Sequence, residues 1–201
     1  KIGRNKAGDI NLIKKYFGKT GGVKFDIIKS REVDGKIVSS SLIRKLILEY
    51  KFDEANKYLG YEYFISGRVI KGKNLGEKIG FPTINILPYK DQLVPQEGVY
   101  GTKVYVNSDL YDSLTFIGRS QYYLSKNTEI FNENNLLILE THLLNFSKSV
   151  YNSYVKIVFK CFIRENILIK SIDQLKKLIE NDINIYKEKL NDHQSGKEKS
   201  N

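Results

Sequence analysis

Val99-Tyr100-Gly101-Thr102-Lys103-Val104-Tyr105-Val106, then Asn107-Ser108-Asp109, then Leu110-Tyr111-Asp112-Ser113-Leu114-Thr115-Phe116-Ile117 reads as two strands joined by a tight hairpin turn. Both runs alternate with a period of two, and the polar triplet between them has turn chemistry. The same period recurs outward from this hairpin, in Tyr61–Ile70, Leu136–Leu144 and Tyr154–Ile163. Pro88 and Pro95 flank a loop, and Lys126–Asn135 is a polar loop rich in Asn and Glu. Several short antiparallel strands separated by turns predict a mainly β fold. A small Greek-key-like barrel, closed or nearly so, satisfies them because closure removes exposed edges.

Helical signals bracket the strands. Ser171-Ile172-Asp173-Gln174 is a capping box, followed by the stripe Ile172, Leu175, Leu178, Ile179, Ile183, Tyr186 and Leu190. This helix is expected to pack on the barrel. From Asn191 onward the chain is polar and aperiodic, which predicts a disordered tail. Upstream, residues 1–37 alternate short apolar runs with turns at Gly18, Gly21-Gly22 and Asp34-Gly35. A serine in Val38-Ser39-Ser40-Ser41 opens a second helix, with a stripe at Leu42, Ile43, Leu46, Ile47 and Tyr50. It is expected to run to Leu59 and end on Gly60 as its C-terminal cap. The expected organisation is therefore 1–59, 60–190 and a tail over 191–201.

The net charge of +10 suggests a polyanionic partner, but its distribution argues against a polynucleotide. Residues 1–60 carry 14 Lys/Arg against 7 Asp/Glu, whereas 61–201 carry 19 against 16. No patterned basic stripe emerges, and a nucleotide substrate needs only a few cations. No apolar run is long enough for a membrane span, so a soluble cytoplasmic protein is expected, with no membrane partner. The 201 residues contain no Met and start at Lys1, which points to a fragment of a longer chain with its missing part upstream. The single Cys161 cannot form an internal disulfide and is expected to be a core thiol.

The chemistry concentrates in Gly76-Glu77-Lys78-Ile79-Gly80-Phe81-Pro82-Thr83-Ile84-Asn85, with Gly72 and Lys73 just before it. Glycines at 72, 76 and 80 allow backbone N–H groups to approach an anion. Lys73 and Lys78 supply cations. Thr83 and Asn85, two residues apart, fall on one side of an extended segment and can share a phosphate oxygen or a Mg²⁺ ion. No Gly-Lys-Ser/Thr follows the glycines, so this is not a Walker A loop. Glu140 stands in Leu136-Leu137-Ile138-Leu139-Glu140-Thr141-His142-Leu143-Leu144, a carboxylate in an apolar strand that calls for a partner or a task. It is the candidate general base. His142 is expected to be structural.

The phrase GxxxGxPTxN, with Glu140 downstream, resembles the riboflavin kinases, including the kinase half of bacterial bifunctional riboflavin kinase/FAD synthetases. The resemblance runs from about Tyr61 to Leu190 and implies transfer of phosphate from ATP to the ribityl 5′-hydroxyl of riboflavin, giving FMN and ADP. It implies Mg²⁺ and phosphate at Thr83 and Asn85, and activation of the hydroxyl by Glu140. Tyr122 and Tyr123, in Ile117-Gly118-Arg119-Ser120-Gln121-Tyr122-Tyr123, and Arg164 resemble the family's flavin-side segments. Glu77 stands where the family often has Arg, and Gln121 where it usually has Pro.

Upstream, Gly3-Arg4-x-x-x-Gly8-Asp9 and Ser39-Ser40-Ser41-x-Ile43-Arg44 resemble the end of a nucleotidyltransferase domain. Ser39, Ser40 and Arg44 there correspond to a phosphate-binding helix entry. The His-x-Gly-His motif of such transferases is absent; the histidines are His142 and His193. This chain alone is therefore expected not to make FAD, and loss of residues 1–59 is expected to leave kinase activity largely intact. Two alternatives stand beside this reading: a bifunctional FAD synthetase as the parent protein, and a barrel that binds a nucleotide or nucleic acid without catalysis, which aromatic and basic residues clustered on one sheet face would favour. The oligomeric state is not legible.

Overall fold

The computed structural model describes residues 10–17, 28–72, 75–120, 136–146, 150 and 153–198. The chain divides into two compact units, Lys1–Val38 and Ser39–Asn201. In the first, helix α1 (Ile10–Phe17) precedes a two-stranded ribbon of β1 (Glu32–Val33) and β2 (Lys36–Ile37). The ribbon turns at Asp34 and Gly35, both with left-handed φ (51° and 71°), as a two-residue hairpin loop requires.

The second unit opens with two helices where one was expected. α2 (Ser40–Leu48) is capped by Ser39, whose hydroxyl accepts from the Leu42 N–H at 3.2 Å. It then stops, and α3 (Phe52–Leu59) follows, ending on Gly60 in the left-handed region as expected. The break is a Schellman closure. Tyr50 takes φ 62°, while the Tyr50 and Lys51 N–H groups bond to the carbonyls of Ile47 and Leu46. Left-handed φ is costly for Tyr, and its ring lies flat on Phe162 at 4.0 Å and 9°, which offsets the strain.

These helices pack on the barrel. Phe52 contacts the rings of Tyr63, Tyr100 and Phe159, and Leu46, Ile47, Ala55 and Tyr58 are buried. Gln96 ties the same corner, its amide donating to the Leu48 carbonyl at 3.1 Å. The boundary expected near residue 60 thus differs from the structural division, which falls between Val38 and Ser39.

Six antiparallel strands close the barrel: β3 (Phe64–Ile70), β4 (Ile84–Ile86), β5 (Gly98–Val106), β6 (Asp109–Ser120), β7 (Leu136–Leu143) and β8 (Tyr154–Arg164). Their order around the barrel is β3-β4-β7-β6-β5-β8. β5, β6 and β7 form a meander and β8 returns beside β5, which is a Greek-key connection. The expected hairpin is present, with Val106 opposite Asp109 and Asn107 at φ 55°. The short β4 was not expected, because three residues are too few to show a period.

Alternate residues fill the interior, among them Ile65, Val69, Ile86, Tyr100, Val104, Ile117, Leu139 and Ile157. The barrel also encloses a chain of hydroxyls. Thr102 bonds Ser113 and Thr115 at 2.8 Å each, and Thr115 bonds Thr141 at 3.0 Å, so each finds a partner without water.

Helix α5 (Ile172–Glu198) closes the unit. The hydroxyl of Ser171 accepts from the Gln174 N–H at 3.1 Å, as the capping box requires. The Tyr186 ring lies over Gly101, where any Cβ would come within 2.2 Å of it, and its hydroxyl donates to the Thr102 carbonyl at 2.8 Å. Burial pushes that phenol well above the ordinary tyrosine range. The helix continues to Glu198, past the tail expected from Asn191: apolar periodicity marks the packed face of a helix, whereas its hydrogen-bonded length can extend further. Cys161 is half-buried beside Gly101 rather than deep in the core, and burial raises its thiol pKa, which disfavours the thiolate.

Candidate active site

Strand register assembles the site. In an antiparallel pair, directly opposed residues project from the same face of the sheet. Asn85 opposes Glu140, Glu140 opposes Phe116, Phe116 opposes Val99, and Val99 opposes Arg164. One transverse row thus carries the expected metal ligand, the expected base and the expected flavin-side arginine across β4, β7, β6, β5 and β8. The next row sets His142 opposite Leu114. Inward-facing neighbours such as Thr141 and Leu139 belong to the core, so this row lies on the outer wall of the barrel.

Over that wall lies a groove of about 240 Å³. Glu140, His142, Phe116 and Leu114 form its floor, and Gly76, Ile79, Phe81 and Thr83 form one bank. Ile167, Ile169, Leu175, Ile179 and Asp182 form the other, with Val99 and Arg164 between. A largely apolar cleft with a few convergent polar groups suits a flat organic ligand with a charged end.

The glycine phrase folds as one helical turn, α4 (Leu75–Lys78), doubled back on itself. The Phe81 N–H bonds the Gly76 carbonyl at 2.8 Å, and the Ile79 and Gly80 N–H groups bond Gly76 and Glu77 carbonyls at 3.2 Å. A Cβ on Gly76 would stand 2.2 Å from the Phe81 carbonyl oxygen, and Gly80 takes φ 91°, so both positions require glycine to close the turn. The N–H groups of Ile79, Gly80 and Phe81 are therefore used within the turn. Gly72 is half-buried and Lys78 exposed; Lys73 lies outside the described residues.

His142 joins the loop to the strand. Its Nδ1 donates to the Pro82 carbonyl at 2.8 Å, and its ring meets Phe81 edge-on at 5.5 Å. This is the structural role the sequence suggested. It holds the segment entering Thr83, which lines the groove together with Glu140.

Asn85 is buried, and its Oδ1 has no hydrogen-bond partner among the described residues. A buried amide oxygen left unbonded costs free energy, which a bound ligand would recover. Among the described residues no three His, Cys, Asp or Glu side chains cluster to hold a metal. The donor set near Thr83 and Asn85 is hard oxygen. It fits Mg²⁺, which keeps several waters and is commonly completed by substrate phosphates.

Arg164 is held by Asp182. Its Nε donates to both carboxylate oxygens at 2.9 and 3.1 Å, Nη2 to one of them at 2.9 Å, and Nη1 to the Glu165 carbonyl at 3.1 Å. Sequence reasoning missed Asp182, although a signal existed: it falls between Ile179 and Tyr186 on the helix's apolar stripe. It also missed Phe116, hidden in an alternating strand. Tyr122 and Tyr123 lie outside the described residues. Ser39 is engaged in capping, and Ser40, at the start of α2, and Arg44, in its middle, are exposed and not among the residues that line the groove.

A riboflavin kinase family model matches residues 59–190, which contain the whole barrel and the groove. The chain belongs to the riboflavin kinase family. The bifunctional riboflavin kinase/FMN adenylyltransferase of Listeria monocytogenes is 31% identical over 180 residues, covering 90% of this chain and 54% of that protein. The Bacillus subtilis protein of the same name is 36% identical over 154 residues, covering 77% and 46%. The chain thus spans about half the length of the curated relatives it matches. A solved structure named as a macrolide-efflux protein from Streptococcus pneumoniae superposes with a TM-score of 0.69 at 24% identity, over 88% of this chain and 54% of that one. At that identity the likeness is one of fold alone. The family match omits α2 and most of α3, which nonetheless pack in the same compact unit as the barrel. No described helix is long and apolar enough to cross a membrane.

Proposed function

We propose that this chain transfers the terminal phosphoryl group of ATP to the 5′-hydroxyl of riboflavin, releasing FMN and ADP. The observation that carries this reading is the opposition of Glu140 to Asn85, whose buried Oδ1 has no partner among the described residues. Thr83 and Asn85 would hold Mg²⁺ with the ATP phosphates, and the ion would supply charge neutralisation at the phosphate oxygens. Glu140, half-buried on the groove floor, takes the proton of the attacking hydroxyl as its oxygen bonds to the γ-phosphorus and the bond to the ADP oxygen breaks. The apolar banks hold the ring of the acceptor. Lys73 and Lys78 remain candidates for the phosphate side, and Tyr122, Tyr123 and Arg164 for the flavin side.

The segment bearing Ser39, Ser40 and Arg44 is read as belonging to the adenylyltransferase part of a longer bifunctional protein, in a soluble cytoplasmic setting without a polynucleotide partner. Metal-site variants test the reading. Asn85→Ala and Thr83→Ala are expected to lower FMN formation by ~10²-fold or more while circular dichroism stays unchanged. Near-normal FMN production by both variants would remove Thr83 and Asn85 from the site.

A further inference from the structure

We propose that Asp182 is a positioning residue for the flavin end of the groove, acting through Arg164; this rests on the riboflavin kinase reading above. Asp182 is 1% exposed, on a helix whose packing asks only for apolar residues at that position. A buried ion pair is often no more stabilising than well-packed apolar side chains of the same volume. What the pair does supply is direction. Both oxygens of Asp182 engage the guanidinium, and the helix bearing Asp182 is itself fixed by Tyr186 on the Thr102 carbonyl and by Lys189, which donates to the Phe162 carbonyl at 2.9 Å. The carboxylate therefore has a set position, and Arg164 must conform to it.

Of the five N–H donors of a guanidinium, the one on Nε and one on each terminal nitrogen are engaged, so among the described residues each terminal nitrogen keeps one without a partner. Arg164 borders the groove and shares the transverse row with Phe116 and Glu140. A planar cation with donors to spare, held at a fixed angle in the row that carries the Phe116 ring, suits a flat ring bearing carbonyl oxygens. The ATP-side groups, Thr83 and Asn85, lie at the other end of the row system. Asp182 is thus expected to govern flavin affinity and not ATP affinity.

The test is Asp182→Asn, which preserves shape and removes the charge. Riboflavin affinity, read by quenching of flavin fluorescence, and the KM for riboflavin are expected to weaken about tenfold, the scale of one lost charge-assisted hydrogen bond. The KM for ATP and kcat should change less than about twofold, because no ATP contact is touched. Arg164→Lys keeps the charge but loses the fork. It should weaken flavin binding similarly, and the double variant should be no worse than either single one. Unchanged flavin affinity in folded Asp182→Asn, or an equal rise in the KM for ATP, would reduce the pair to a structural brace. If Asp182→Asn fails to fold, unchanged flavin affinity in Arg164→Lys overturns the proposal by itself. A wild-type chain that neither binds riboflavin nor makes FMN would overturn the underlying reading instead.

Discussion

Glu140→Gln is expected to lower kcat for FMN formation by ~10²–10⁴-fold, the usual range for a general base, with riboflavin affinity close to that of the unaltered chain. Gln keeps the size and hydrogen-bonding reach of Glu but cannot accept the hydroxyl proton. The residue lies on the groove floor, one strand from Asn85 and one strand from Phe116, and the proposed reading has the acceptor and the phosphate meet beside it. Steady-state kinetics with varied riboflavin separate the two roles. A normal kcat with lost flavin binding would make Glu140 a binding residue.

Removing residues 1–59 is expected to abolish stable folding, whereas removing 1–38 should leave the thermal transition of the barrel unit in place. The shorter deletion ends where the compact unit begins. The longer one takes away Leu46, Ile47, Phe52, Ala55 and Tyr58, all buried, and uncovers Tyr63, Tyr100 and Phe159. Full burial of a large apolar side chain contributes about 1.5–3 kcal/mol. Losing several together rivals the ~5–15 kcal/mol of net stability available to a whole domain. Thermal unfolding of the two truncations measures the difference. A cooperative, near-normal transition for residues 60–201 would show that α2 and α3 are dispensable, as the sequence alone suggested.

That contrast shows where the sequence was legible. The barrel strands announced themselves because half-buried strands impose a period of two, and the hairpin at Asn107 because its turn residues are distinctive. The break at Tyr50 was invisible: a left-handed C-cap normally shows as Gly or Asn, and here a Tyr occupies it, held by stacking on Phe162, which is remote in sequence. The packing of α2 and α3 on the barrel was equally hidden, since an apolar stripe says that a face is covered but not by what.

The site divides the same way. Glu140 stood out as a carboxylate among leucines, and Thr83 and Asn85 by their spacing. Their alignment into one row depends on register across five strands, which no local pattern encodes. The glycines carry a task that their spacing does not show: Gly76 and Gly80 close a turn that engages the N–H groups of Ile79, Gly80 and Phe81. Asp182 was legible in principle, because a carboxylate on an apolar stripe must be paired or costly.

The central claim meets its most direct test in one incubation of the intact chain with riboflavin, ATP and Mg²⁺, with the products separated by chromatography. FMN and ADP are predicted to appear in equal amounts, and FMN supplied in place of riboflavin should give no FAD. Folded protein that forms no FMN would contradict the account.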